Sequence, residues 1–245
     1  MSTQAPQGAN NRTGKQGHSP IFNLLFNIVI PTLILTKLSA DDRLGPQGSI
    51  VLALLFPICF GLWDYIKTRK ANFFSILGFI SVLLTGGISL LELDPKYIAI
   101  KEAAIPGLIG LATLISIYTP FPLIRTFLFN ENIVDVAKVD AALDQHQCHP
   151  QFERALKNAT QMLAGSFFLS SALNYGLAKY LLVSPPGTPE YSAELGRMTG
   201  LSFPVIALPC TLVMMGVLYY LIHQIKSLTH LELDDIFHIH HDEKA

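Results

Sequence analysis

An all-α, polytopic membrane bundle of six transmembrane helices is the fold class this sequence predicts, and three observations predict it. Half of the 245 residues are hydrophobic, 14% are charged, and the mean hydropathy is +0.41. Soluble domains carry about 25% charged residues, and a soluble core of this size would leave too few charges to cover its outside. The apolar residues also gather into six runs, at about 21–38, 49–66, 73–92, 98–118, 161–183 and 201–223. Each is near the ~20 residues that cross a ~30 Å hydrocarbon layer. Finally, the breaks between the first four runs are short and polar, which makes them tight turns between antiparallel neighbours. This pattern argues against a soluble enzyme, a disordered chain and a disulfide-knit secreted domain.

Taken in order, residues 1–20 are polar and end at Pro20, and they read as a disordered cytoplasmic tail. The apolar run from Ile21 is too long for a signal peptide and no small-x-small cleavage site follows, so the first helix is expected to stay in the membrane. The transmembrane domain then spans 21–226. A polar segment at about 119–160 separates helices four and five as a cytoplasmic insertion. Within it Val134–Leu143 and Phe152–Thr160 read as short surface helices, with His146–Pro150 between them. The stretch SPPGTPEYSAELGRMTG reads as the loop joining helices five and six, and 227–245 as a C-terminal tail. Lys and Arg number eleven on one set of alternate loops and six on the other. By the positive-inside rule both termini are cytoplasmic.

Several residues interrupt the apolar runs. Pro31, Pro57, Pro106, Pro204 and Pro209 each remove a backbone donor and are expected to bend a helix. Thr85-Gly86-Gly87 is expected to permit a close helix contact. Glu92, Asp94, Lys96, Lys101 and Glu102 cluster around the hairpin between helices three and four. Lys101 and Glu102 are carried into the bilayer edge, where an unpaired charge is expensive. Neighbouring helical positions diverge by about 100°, so Lys101 and Glu102 do not face each other, and Lys101 is expected to pair with Glu92 or Asp94 across the hairpin or to snorkel outward. Lys37 and Lys179, at helix ends, are expected to snorkel. Asn23, Asn27 and Asn174 are expected to hydrogen-bond between helices. Trp63 and Tyr65, followed by Lys67, Arg69 and Lys70, mark a membrane interface.

Chemistry-bearing motifs are sparse. Net charge is −1, from 17 Lys+Arg against 18 Asp+Glu, so no basic excess points to nucleic acid. Of the three cysteines, Cys59 and Cys210 lie in apolar runs and are expected to be buried small hydrophobes. Cys148 reads as a free thiol in a polar loop. His146, Cys148 and His149, and separately His230, His238, His240 and His241, lack the spacing of a built metal site. No phosphate loop, nucleophile triad or carboxylate–histidine face is present. Neither an enzyme site nor a cofactor is expected.

The order Thr36-Lys37-Leu38, Trp63 to Lys70, Thr85 to Leu90, Ile98 to Lys101 and Pro122 to Arg125 resembles the intracellular septation protein A family of bacterial inner-membrane proteins. Leu173-Asn174-Tyr175 and Gly216 to Tyr220 extend the resemblance, which covers roughly 33–128 and 160–226. The chain departs from that pattern in its longer start, in the segment around 130–157, and in Glu102, where the family usually has proline. The resemblance implies a protein of the bacterial cytoplasmic membrane that supports septation and envelope integrity. Its partners would be division or wall-elongation proteins, or further copies of itself, within the lipid bilayer. No catalytic residue is carried over, and Lys37, Lys101 and Asn174 fit the pattern. The second reading is a secondary transporter of a small solute or ion, with Glu102, Asn174 and the midspan prolines at its centre.

Overall fold

The computed structural model describes residues 25–68, 73–119, 123–124 and 134–236, and among them every regular element is helical. Helix α1 (Ile30–Lys37) follows a single π-turn at Leu25–Val29. It is followed by α2 (Gly45–Thr68), α3 (Phe73–Leu90) and α4 (Lys96–Ser116). Next come α5 (Val136–His146) and the 33-residue α6 (His149–Leu181). Helix α7 (Pro189–Ser202) runs through a second π-turn, Phe203–Ala207, into α8 (Leu208–Thr229), and a four-residue α9 (Leu233–Ile236) ends the described chain. The expected tail 1–20, Asn23, Arg69, Lys70 and His238 to His241 lie outside the described residues.

Among the described residues three helical stretches are long and apolar enough to cross a membrane: Gly45–Trp63, Lys96–Ser116 and Pro189–Thr229. The other three apolar runs take different forms. The first is the eight-residue α1 with its π-turn, the third is a shorter apolar helix at Ile76–Leu90, and the fifth is the second half of α6. Large apolar side chains stand exposed along these helices, among them Leu83, Leu108, Ile115, Leu212 and Met215. Water would penalise such faces and hydrocarbon would not. The same faces explain Cys59, which is exposed rather than buried, and Cys210, which is only half-buried.

Local chemistry explains where the helices differ from the sequence expectation. Phe152–Thr160 is not a separate surface helix but the start of α6. Pro150 sits in its first turn, where a missing N–H costs nothing. The stretch read as the loop between helices five and six is largely α7. There Thr188 caps the helix by accepting a hydrogen bond from the Tyr191 N–H at 3.2 Å. Pro31 and Pro209 each follow a π-turn by two residues, and the Leu208 N–H reaches back to the Phe203 carbonyl. The wider turn absorbs the register change that the missing proline N–H requires. Pro57 and Pro106 do lie inside helices. The beginning of the expected C-terminal tail is docked: Ile236 is fully buried and its carbonyl accepts from the Asp135 N–H at 2.8 Å.

Two apolar cores hold the helices together. One joins Val139 and Leu143 of α5, Phe152, Leu156 and Leu163 of α6, Leu221 and Ile225 of α8, and Ile236. The other, near the 91–96 hairpin, joins Ile34 and Leu35 of α1, Ile50 of α2, Ile98 of α4, Leu182, and Tyr191 and Leu195 of α7. Between them α4 and α6 approach closely. A side chain at Gly110 would put its Cβ 3.1 Å from Phe167 Cβ and 3.4 Å from the Ala164 carbonyl. The Ser171 hydroxyl donates to the Ala103 carbonyl at 2.7 Å across the same seam. Small residues and hydroxyls are the usual means by which apolar helices pack without a solvent-driven force.

Candidate functional site

Helix α4 carries Lys101 and Glu102 less than two turns from its start, ~8–9 Å below the hairpin at 1.5 Å per residue. The Lys101 side chain is 8% exposed and its Nζ lies 2.6 Å from Glu102 Oε1. The expected pairing with Glu92 or Asp94 is not formed. Although the two Cβ atoms diverge, the four-carbon lysine stem and the glutamate bend toward one another. The ammonium is drawn onto α3, where it donates to Ser81 Oγ at 3.0 Å, the Ser81 carbonyl at 3.3 Å and Thr85 Oγ1 at 2.6 Å. Ser81 and Thr85 are one turn apart on one face of α3, a polar pair in a mostly apolar helix that also carries Ser75 and Ser89. That pairing was the sequence signal for this site, and Thr85 alone was singled out, as a packing residue. A buried ammonium needs its hydrogens satisfied, and this arrangement satisfies all three.

Beside the pair lies a cavity of about 760 Å³, walled by α1, α2, α3 and α7. Leu35, Leu54, Phe60, Phe79 and Met198 supply apolar walls, while Ser81, Thr85 and Glu102 form a polar strip. Its volume falls in the ~300–1,000 Å³ range of pockets that bind drug-sized ligands. A second space of about 350 Å³ lies on the other side of Glu102 and Ser81, against Pro106, Ser170 and Asn174. Glu102, Ser81 and Gly78 line both.

Two prolines and several hydroxyls shape the hydrogen bonding around the strip. Pro57 has no N–H to offer the Ala53 carbonyl, and Pro106 has none for the carbonyl of Glu102. The hydroxyls of Thr85 and Thr199 donate to the Ser81 and Leu195 carbonyls of their own helices. Asn174 donates to the Ser170 carbonyl at 2.8 Å and to its hydroxyl at 3.3 Å. These bonds stay within α6, whereas a bond between helices was expected.

The structure thus brings Lys101, Glu102 and Asn174 to one region and leaves the other predicted positions at the periphery. Lys37 is exposed at the end of α1. Glu92 has φ 54° in the hairpin and accepts from Gln47 Nε2 at 3.1 Å. Asp94 pairs with Lys96 at 3.1 Å in the open. The Lys96 backbone N–H and then its ammonium hold the Asp94 carboxyl below the ordinary range. Glu194, which the sequence did not single out, accepts from the Val183 and Ser184 N–H groups at 3.0 Å and ties the end of α6 to α7. Gly196 and Gly200 bring α7 against Thr32, Leu35 and Thr36 of α1. Their four-residue spacing was a legible packing motif inside a stretch read as loop. At the opposite end the His146 and His230 rings meet edge to face at 5.2 Å, and His149 bonds Asp144 at 2.8 Å. Among the described residues no three His, Cys, Asp or Glu side chains gather as a metal site would require.

The fold and site together define, among the described residues, an all-helical architecture with membrane-length apolar helices and a charged pair beside a partly open cavity. No protein-family model, curated protein or solved structure matches it.

Proposed function

We propose that this chain is an integral membrane protein that binds a small solute in the cavity beside Lys101 and Glu102 and passes it through the membrane, as a secondary transporter does. The observation that carries this reading is the ion pair itself, 2.6 Å long, with its lysine 8% exposed in an apolar helix and its glutamate on the wall of a 760 Å³ cavity. Charges at membrane depth are costly and, where present, ordinarily serve a solute or ion path. Proline-interrupted helices beside such a site are the usual architecture of a solute pathway. In this reading all six apolar runs lie in the bilayer of a bacterial inner membrane, with both termini cytoplasmic. Support of septation through division or wall-elongation proteins rests on the family resemblance alone, and the cavity favours solute handling.

Accessibility tests it. In a variant lacking the native cysteines, Gly78→Cys faces the cavity and Leu108→Cys faces outward. In sealed vesicles a membrane-impermeant maleimide is expected to label the first and spare the second. Labelling from both sides in turn supports passage. If Gly78→Cys is as inert as Leu108→Cys, the cavity is closed to water and the transport reading fails.

A further inference from the structure

Resting on that reading, we infer that the cavity's occupant is an uncharged, mostly apolar molecule that donates one hydrogen bond, such as a chain alcohol, and that Glu102 is its acceptor. The argument is one of charge and of unused hydrogen-bonding capacity. Glu102 stands between both cavities, and its charge is already balanced by Lys101 at 2.6 Å. Lys101 is not free to leave, because Ser81 and Thr85 hold its ammonium on α3. A cationic solute would add a net positive charge to a neutral, poorly solvated pair, and an anionic one would meet an ammonium whose hydrogens are spent. Either leaves one buried charge without a partner, which is the most expensive outcome available.

A neutral donor faces no such penalty. The second oxygen of Glu102 is an acceptor at the cavity wall. The Thr85 and Thr199 hydroxyl hydrogens are committed to their own backbones. The remaining wall, from Leu35, Leu54, Phe60 and Phe79 to Met198, suits a hydrocarbon body. One donor on an apolar chain matches both parts.

The test uses the full chain in lipid nanodiscs and a dodecanol carrying a photoactivatable diazirine. Labelled peptides are mapped by mass spectrometry, with dodecanol, dodecylamine and dodecanoate as competitors that share a chain and differ in charge. Gly61→Phe and Gly78→Phe fill the cavity at positions where an added Cβ meets nothing within 4 Å. Labelling is expected on the cavity faces of α2 and α3, and either filled variant is expected to abolish it. Dodecanol should displace the label at concentrations at least about tenfold lower than the two charged analogues, given the cost of burying an unpaired charge. Preferential displacement by dodecylamine or dodecanoate, with labelling still lost on filling, overturns the uncharged class and leaves the solute-binding reading standing. Labelling that ignores both the filled variants and all three competitors overturns the inference and the solute-binding reading together.

Discussion

Glycines on two sides of the molecule face different surroundings. At Gly107 and Gly110 the α4 backbone lies against Ser171, Phe167 and Phe168 of α6, and a larger residue would meet them at 3.1–3.3 Å, so its neighbours would have to shift. At Gly61 of α2 and Gly78 of α3 an added Cβ meets nothing, because both face the cavity. In the first region small residues let two helices touch. In the second they leave space that the neighbouring helices do not fill. The same residue type therefore marks a structural seam in one half and an opening in the other, and only the partner across from it separates the two.

The boundary between these regions is the Lys101–Glu102 pair, and breaking it gives the largest expected effect. Lys101→Met leaves Glu102 without its cation and is expected to lower stability by about 3 kcal/mol or more. Adding Glu102→Gln removes the stranded charge and should restore most of the loss. Unfolding in mild detergent measures both, and an unchanged single variant would mean that the pair is solvated rather than buried.

Next in size is the seam. Gly110→Leu drives a side chain toward Phe167 and the Ala164 carbonyl and is expected to cost about 1–3 kcal/mol. Gly61→Ala and Gly78→Ala make the opposite case, since each removes glycine's excess backbone freedom without a clash. They are expected to raise stability by up to about 0.5–1 kcal/mol. Equal losses at Gly110 and Gly78 would erase the distinction between seam and cavity.

The smallest expected effect is at the exposed hairpin. Because the Asp94 carboxyl is held below its ordinary range, its contribution is fully present above the unfolded value of ~3.9. It disappears as the pH falls through the lower folded value. A thermal-melt series should therefore be flat with respect to this group from neutral pH down to about 4.5, falling slightly only in stronger acid. Asp94→Asn should remove that last decline. A loss already visible at pH 6 and cancelled by Asp94→Asn would contradict the geometry.

Much of the helical architecture was legible in one dimension, because hydrocarbon-length apolar runs and polar breaks are properties of consecutive residues. Gly45–Trp63 and Lys96–Ser116 fall nearly where the runs at 49–66 and 98–118 predict them. Less legible were segments whose polarity hides a helix. Residues 152–160 look like a separate surface element, yet buried Phe152, Leu156 and Ala159 face α5 and α8, and the helix continues through them. Residues 189–202 look like loop, yet Thr188 caps them and Gly196 seats them on α1. Amphipathic helices of this kind are stabilised by what they pack against, which composition alone does not reveal.

By itself the sequence determined an all-helical chain of apolar runs, and it identified Lys101, Glu102 and Asn174 as costly residues within those runs. It did so because the price of a charge in hydrocarbon depends on residue type and depth, both of which can be counted along the chain. Only the tertiary structure decided that Lys101 closes on its neighbour Glu102 and on Ser81 and Thr85 rather than across the hairpin. It alone decided that Asn174 bonds within its own helix, and that α1, α2, α3 and α7 leave a cavity beside the pair. Those outcomes depend on the direction of flexible side chains and on the distance between helices far apart in sequence, which the packing of the whole bundle sets.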